Sequence, residues 1–162
     1  MPTAGARRTG RSVRLTTDEA WALLRDAHTG ILVTLRRDGV PIATPMWFAA
    51  LDGYVYVRTP ARSKKVGRLR RDARVTFLVE EGERWAELRA VHFTGRAEIV
   101  GDDPDLVARV DAELDRKYTR FRTARAAMPD PTRRHYETTF ALIRVVPDPA
   151  PITWDNRKLG LA

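Results

Sequence analysis

Two Asp-Gly pairs, Asp38-Gly39 and Asp52-Gly53, each sit between short runs of apolar and β-branched residues. Such a pair allows the positive φ of a tight two-residue turn, so it joins neighbouring antiparallel strands. "ILVTL", "VPIATPMWFAA" and "YVYVR" therefore read as three strands in a meander. Pro41 and Pro45 place parts of the second strand at an edge or a bulge. "RVTFLVEE" is the fourth strand; "EGER" turns it into a long fifth, "WAELRAVHFTGRAEIV". Gly95 inside that run predicts a bulge or a sharp bend. "TFALIRVV" is the sixth, and the Pro-rich tail "PDPAPITWDNRKLGLA" ends in a possible edge strand. Six strands joined mostly by hairpins predict a mainly β chain: an antiparallel barrel with helices over its ends.

The helices have legible ends. Thr16 and Glu19 have capping-box spacing ahead of Ala20, Trp21, Leu23, Leu24 and Ala27, and Gly30 closes the segment. A short helix is predicted over 63–71, with Val66 and Leu69 as its apolar side. Asp102 or Asp103 caps another that starts at Pro104 and turns Leu106, Val107, Val110 and Leu114 inward. "TRFRTARAAM" reads as a shorter helical piece and "PDPTRRHYE" as a Pro-broken connector.

The 162 residues fit one domain, 15–162, behind a basic leader, 1–14, expected to be disordered. That leader holds Arg7, Arg8, Arg11 and Arg14 and no acid, half of the net charge of +8. It lacks an apolar core and so is not a secretory signal. With no apolar run long enough to cross a membrane, the expected location is the cytoplasm. The absence of cysteine removes disulfides, thiolate catalysis and cysteine metal sites.

Ordinary catalytic constellations are thin. His28, His92 and His135 are widely separated and none has metal-ligand spacing. Glu80, Glu81, Glu83 and Glu87 surround a turn and read as a solvated face. No Gly-rich phosphate loop follows a strand.

The segment Arg58–Val75, "RTPARSKKVGRLRRDARV", is different: eight cations against one acid, Asp72. Cations in a first helical turn oppose the helix dipole, at about 0.3–1 kcal/mol each. Gly67 costs about 1 kcal/mol more than alanine inside a helix. An anion would resolve the conflict, taking backbone N–H groups with Ser63, Lys64 and Lys65, while Arg58 and Arg62 approach from the strand and loop. The other reading is a solvated basic face. Met46, Trp47, Phe48, Tyr54, Tyr56 and Trp85 lie nearby in sequence order, either as barrel core or as the wall of a flat ring. A single-stranded nucleic acid, stacked on those aromatics, is the alternative target, with the cofactor preferred.

The order "PMWF", a DG turn, "VRT", "SKK" and "LRRDARV" resembles the split β-barrel family related to pyridoxamine 5′-phosphate oxidase. Over roughly 17–160 it is most similar to the actinobacterial flavin/deazaflavin oxidoreductase branch. The resemblance implies a six-stranded split barrel forming a homodimer, with cofactor sites at the subunit interface. Lys65 falls on the family's phosphate-binding lysine, beside Ser63 and Lys64; Arg58 and Thr59 fall on the strand end bordering the cofactor. Pro45, Met46 and Trp47 fall on the strand lining the ring, and Trp85 and Trp154 are candidates to complete the partner's pocket. The cofactor implied is the deazaflavin F-420, with FMN as the alternative. Arg62, Arg68 and Arg71 suit the longer anionic ligand. No side chain stands out as catalytic. The activity implied is hydride transfer to a small unsaturated molecule; a non-catalytic flavin-, haem- or tetrapyrrole-binding protein is the other reading. The substrate-phosphate motif of true pyridoxamine phosphate oxidases is not found, since Arg157 in "WDNRKL" stands alone.

Overall fold

The structure, a computed structural model, describes residues 12–160. Helix α1 (Thr17–Asp26) starts from the capping box: Thr16 Oγ1 accepts the Glu19 N–H and Glu19 returns to the Thr16 N–H. Strands β1 (Gly30–Leu35) and β2 (Pro41–Met46) form the first hairpin. Strands β3 (Ala49–Leu51) and β4 (Tyr54–Pro60) form the second, across a turn where Asp52 and Gly53 both have positive φ, 53° and 79°. Helix α2 (Lys64–Arg71), strand β5 (Arg74–Glu81) and strand β6 (Arg89–Val100) follow. Helix α3 (Pro104–Tyr118) is capped by Asp103, with proline in its first turn. After α4 (Asp130–Tyr136) come β7 (Phe140–Pro147) and β8 (Ile152–Asp155).

All strand pairs are antiparallel, in the order β2-β1-β5-β6-β7-β4-β3, with β8 alongside the first half of β6. The sheet thus has eight strands, not six. "VPIATPMWFAA" is two of them, broken at Trp47–Phe48, so that β2 pairs with β1 and β3 with β4. The tail supplies the eighth.

Gly95 makes no bulge. The β5–β6 register runs unbroken through Val75↔Gly95, and there β7 joins the other edge of β6. A Cβ on Gly95 would lie 2.2 Å from the Val146 carbonyl oxygen. The residue is needed for close backbone approach, which sequence alone does not distinguish from a bulge. Three other segments differ from expectation. Trp85–Glu87 forms a 3-10 turn before β6, "TRFRTARAAM" makes only 3-10 turns, and "PDPTRRHYE" forms α4 with proline in the tolerated first turn.

The main core fills the barrel: Leu32, Val55, Val57, Phe77, Val79, Val91, Phe93, Ile143 and Val145 from the strands, plugged by Leu23 and Leu24 of α1 and Val66 and Leu69 of α2. A second core lies outside, where Val110, Leu114 and Tyr118 of α3 cover Ala49, Tyr56 and Leu142 of β3, β4 and β7. Among the described residues no helix covers the outward face of the other strands. There Pro45, Ile31, Leu78, His92 and Ile152 stand in one cross-strand row over five strands, none of them buried.

Of the basic leader expected over 1–14, residues 1–11 lie outside the described residues. Val13 and Arg14 are tied to the domain: the Val13 carbonyl accepts the Asp155 N–H and the Arg14 carbonyl accepts from Lys158. Among the described residues no helix is long and apolar enough to cross a membrane.

Candidate cofactor site

Helix α2 lies across one mouth of the barrel. Its apolar residues Val66 and Leu69 are buried in the core, which fixes the directions of its cations. Lys65 Nζ donates to Thr59 Oγ1 of β4 at 3.3 Å, Arg68 Nε donates to Thr34 Oγ1 of β1 at 2.8 Å, and Arg71 donates to the Leu35 carbonyl at 2.7 Å. Thr34 and Thr59 are 1% and 2% exposed, so both cations reach into the barrel mouth rather than out to solvent. Burial lowers the Lys65 pKa, and Arg68 beside it lowers it further. An incoming anion would relieve both effects.

Ser63 occupies the N-cap of α2 with extended backbone, the place where serine normally accepts a first-turn N–H. It makes no such bond. Its Oγ is buried and has no hydrogen-bond partner, and the first turn contains no acid. A buried hydroxyl without a partner costs about 1–3 kcal/mol. The donors that a phosphate requires are therefore assembled here: a free hydroxyl, uncapped backbone N–H groups and the Lys65 ammonium. The residues fit a phosphate-bearing cofactor.

Beside this site, α2 and the β1–β2 hairpin flank an open groove of about 600 Å³ lined by Arg36, Arg37, Ile42, Lys64, Gly67, Arg68 and Arg71. Five cations and no acid line it, and one of the five, Arg36, also pairs with Asp38 at 2.8 Å. A Cβ on Gly67 would meet nothing within 4 Å, so packing does not demand glycine there. Its effect is to leave the groove wall open, at the helix cost noted above.

The remaining predicted residues are not all brought together. Arg58 is on the opposite face of β4 from Thr59, as the period of two requires. It pairs with Asp111 of α3 and lies 5.2 Å from the Phe140 ring centroid, away from α2. Arg62 is exposed in the loop before Ser63. On β2, Pro45 faces outward and Met46 packs against the core. Trp47, 42% exposed, stacks on Tyr118 with centroids 4.5 Å apart. Trp85 is 60% exposed, and its carbonyl accepts from Asn156; Trp154 pairs with Ala90 on the outward face of β8. Both lie across the sheet from β2, remote from Lys65 of the same chain.

Four residues escaped sequence reading, three in this region and the fourth, Lys117, beside Phe48. Thr34 is signalled only by being polar at an inward position of "ILVTL". Arg36 and Arg37 read as ordinary turn residues. Lys117 continues the inward stripe Leu106–Val110–Leu114 by three residues, a signal hidden by its charge. Among the described residues no cluster of histidines or acids has metal-binding arrangement.

An antiparallel split barrel is the architecture of a flavin-binding class. Residues 16–147 match the model for pyridoxamine 5′-phosphate oxidase, and the chain belongs to that family. It is similar to the conserved hypothetical protein Rv2991 from Mycobacterium tuberculosis, with 34% identity over 98% of this chain and 94% of that one and a TM-score of 0.77. A FAD-binding protein from Mesorhizobium loti shares the fold at 18% identity and TM-score 0.64, over 85% of this chain and 93% of that one. So does HutZ, the haem storage protein from Vibrio cholerae, at 17% and 0.63, over 85% and 94%. Among curated proteins, none matches the sequence.

Proposed function

We propose that the protein is a deazaflavin (F-420)-dependent oxidoreductase that passes hydride to a small unsaturated organic molecule. The observation that carries this reading is the partnerless Ser63 Oγ beside Lys65, with the five-cation groove continuing past it. Ser63, Lys65 and the first-turn N–H groups of α2 would hold the cofactor phosphate. Lys64, Arg68, Arg71, Arg36 and Arg37 would face a further anionic tail, and Arg62 would approach from the loop. Backbone from Pro45 to Trp47 would border the ring. Bound there, the deazaflavin supplies the hydride; the protein orients it and keeps water out. With no acid or histidine in the cradle or groove, the accompanying proton would come from solvent.

The homodimer belongs to the same proposal. The row Pro45–Ile31–Leu78–His92–Ile152 is an open apolar sheet face, and a second copy is the occupant that serves the site. Trp85 and Trp154, remote from Lys65 in their own chain, would reach the partner's site across that face.

FMN on the same scaffold is the second reading, favoured by the cradle alone, which suffices for one phosphate. Parallel titrations of ligand-free protein with F-420 and FMN distinguish the two. Tighter F-420 binding supports the first reading, tighter FMN binding the second, and binding of neither overturns both.

A further inference from the structure

The chain leaves the sheet at Phe48, between β2 and β3, and the peptide groups of Phe48 have no ladder partner. Both are taken by the last turn of α3. The Phe48 N–H donates to the Tyr118 hydroxyl at 2.9 Å. That hydroxyl lies 3.0 Å from the carbonyls of Phe48 and His28, to one of which it donates. Lys117 Nζ donates to the Phe48 carbonyl at 3.4 Å and to the Leu24 carbonyl of α1 at 3.2 Å. It also sits 3.8 Å from the centroid of the Phe48 ring. The Tyr118 ring stacks under Trp47.

Lys117 is only 6% exposed and makes no salt bridge among the described residues. The charged groups around it are Glu113 and Arg116 of α3, which pair with each other, Asp26 at the end of α1, and Glu81 at the end of β5. Burial pushes the Lys117 pKa down to about 8, with Glu113 opposing that effect. An apolar residue of similar length would fill the same space without burying an ammonium group. What the lysine adds is a hold on one particular peptide.

We propose that Lys117 and Tyr118 are positioning residues that clamp the Met46–Phe48 segment against the bound cofactor, with the charge on Lys117 setting how firmly. The inference rests on the cofactor reading above. A protonated Lys117 makes charge-assisted bonds to two carbonyls and a cation–π contact; the neutral amine keeps weaker bonds and loses that contact. Protonation of Lys117 and cofactor binding are then linked, and the linkage is reciprocal.

The test is cofactor affinity for the wild type and for Lys117→Met, measured from below to above pH 8. A second readout is the titration of the Lys117 side chain by NMR, with and without cofactor. The wild type should lose about fivefold in affinity as pH rises through the Lys117 midpoint. Lys117→Met should show the weaker affinity at every pH, and cofactor should raise the wild-type midpoint by the amount matching that fold-change. A step of undiminished size surviving in Lys117→Met belongs to another group, Lys65 or Tyr118 among them, and overturns the proposal. So do a flat wild-type profile and an unmoved midpoint. Should Lys117→Met fail to fold, the wild-type midpoint alone decides. If a cofactor binds but neither signature is seen, the clamp alone fails. If neither cofactor binds at any pH, the cofactor reading fails and the clamp with it.

Discussion

Lys65 Nζ meets Thr59 Oγ1 at 3.3 Å inside the mouth of the barrel, two residues after a serine hydroxyl that has no partner. A lysine and a threonine from different elements are thus aimed at one place, with no carboxylate to neutralise the ammonium.

Lys65→Ala is expected to weaken cofactor binding by about 1–3 kcal/mol, the scale of hydrogen bonds to charged groups. The free protein should melt close to the wild type, because the ammonium removed is a desolvated one whose pKa burial already depresses, which offsets the hydrogen bond lost at the buried Thr59 hydroxyl. Titration and thermal melting of the same preparation check both halves. A large loss of stability with unchanged affinity would make Lys65 a structural residue only.

Gly67→Leu separates the groove from the cradle. Leucine restores about 1 kcal/mol of helix propensity and projects into the groove, where a Cβ meets nothing within 4 Å. The variant should melt higher, bind F-420 about tenfold more weakly and bind FMN unchanged. Titration with the two ligands in parallel checks it; equal losses for both would remove the groove from the account.

Leu78→Lys tests the open sheet face. Leu78 stands at the middle of the apolar row, between Ile31 and His92. A charge there has no partner in a face-to-face dimer and costs several kcal/mol when desolvated. The expected result is a folded monomer by light scattering that has lost cofactor affinity, since Trp85 and Trp154 no longer reach the neighbouring site. A monomeric wild type would contradict the dimer.

Gly95→Ala should destabilise by about 1–3 kcal/mol, the usual cost of overpacking, because its Cβ would meet the Val146 carbonyl at 2.2 Å. Denaturant unfolding measures this directly.

The same glycine shows where sequence reading stops. Both Asp-Gly turns, the Thr16–Glu19 capping box and the Asp103–Pro104 helix start were legible because each depends on neighbours a few residues apart. Gly95 was visibly special, but whether it bulges or admits another backbone depends on β7, about fifty residues away. The split at Trp47–Phe48 was hidden for the same reason: it is defined by which strands pair and by Tyr118. At the proposed site, "SKK" drew attention from local pattern to the helix start where Ser63 Oγ has no partner and Lys65 turns to Thr59. Arg58 was grouped with it by proximity in sequence, although strand alternation turns it toward Asp111. Arg36 and Arg37 join the groove only through the hairpin's fold against α2.

Lys117 makes stability depend on pH in a definite direction. Its pKa is about 8 when folded and returns to the ordinary 10.5 when unfolded. Below pH 8 both states carry the proton, and the whole cost of burying the charge is present. Between about 8 and 10.5 the unfolded state binds more protons, so this residue makes stability rise with pH. Thermal melts across that window should show the rise in the wild type and a smaller one in Lys117→Met, since Lys65, whose pKa is also lowered, contributes with the same sign.

On the proposed reading, the mouth of the barrel binds a phosphate-bearing deazaflavin through Ser63, Lys65 and the groove beyond. The most direct test is fluorescence titration of ligand-free protein with F-420 and FMN in parallel, repeated with Lys65→Ala. The expected result is tight F-420 binding, weaker FMN binding, and weakening of both in the variant. Wild-type protein that binds neither ligand, or a variant that binds both undiminished, would contradict it.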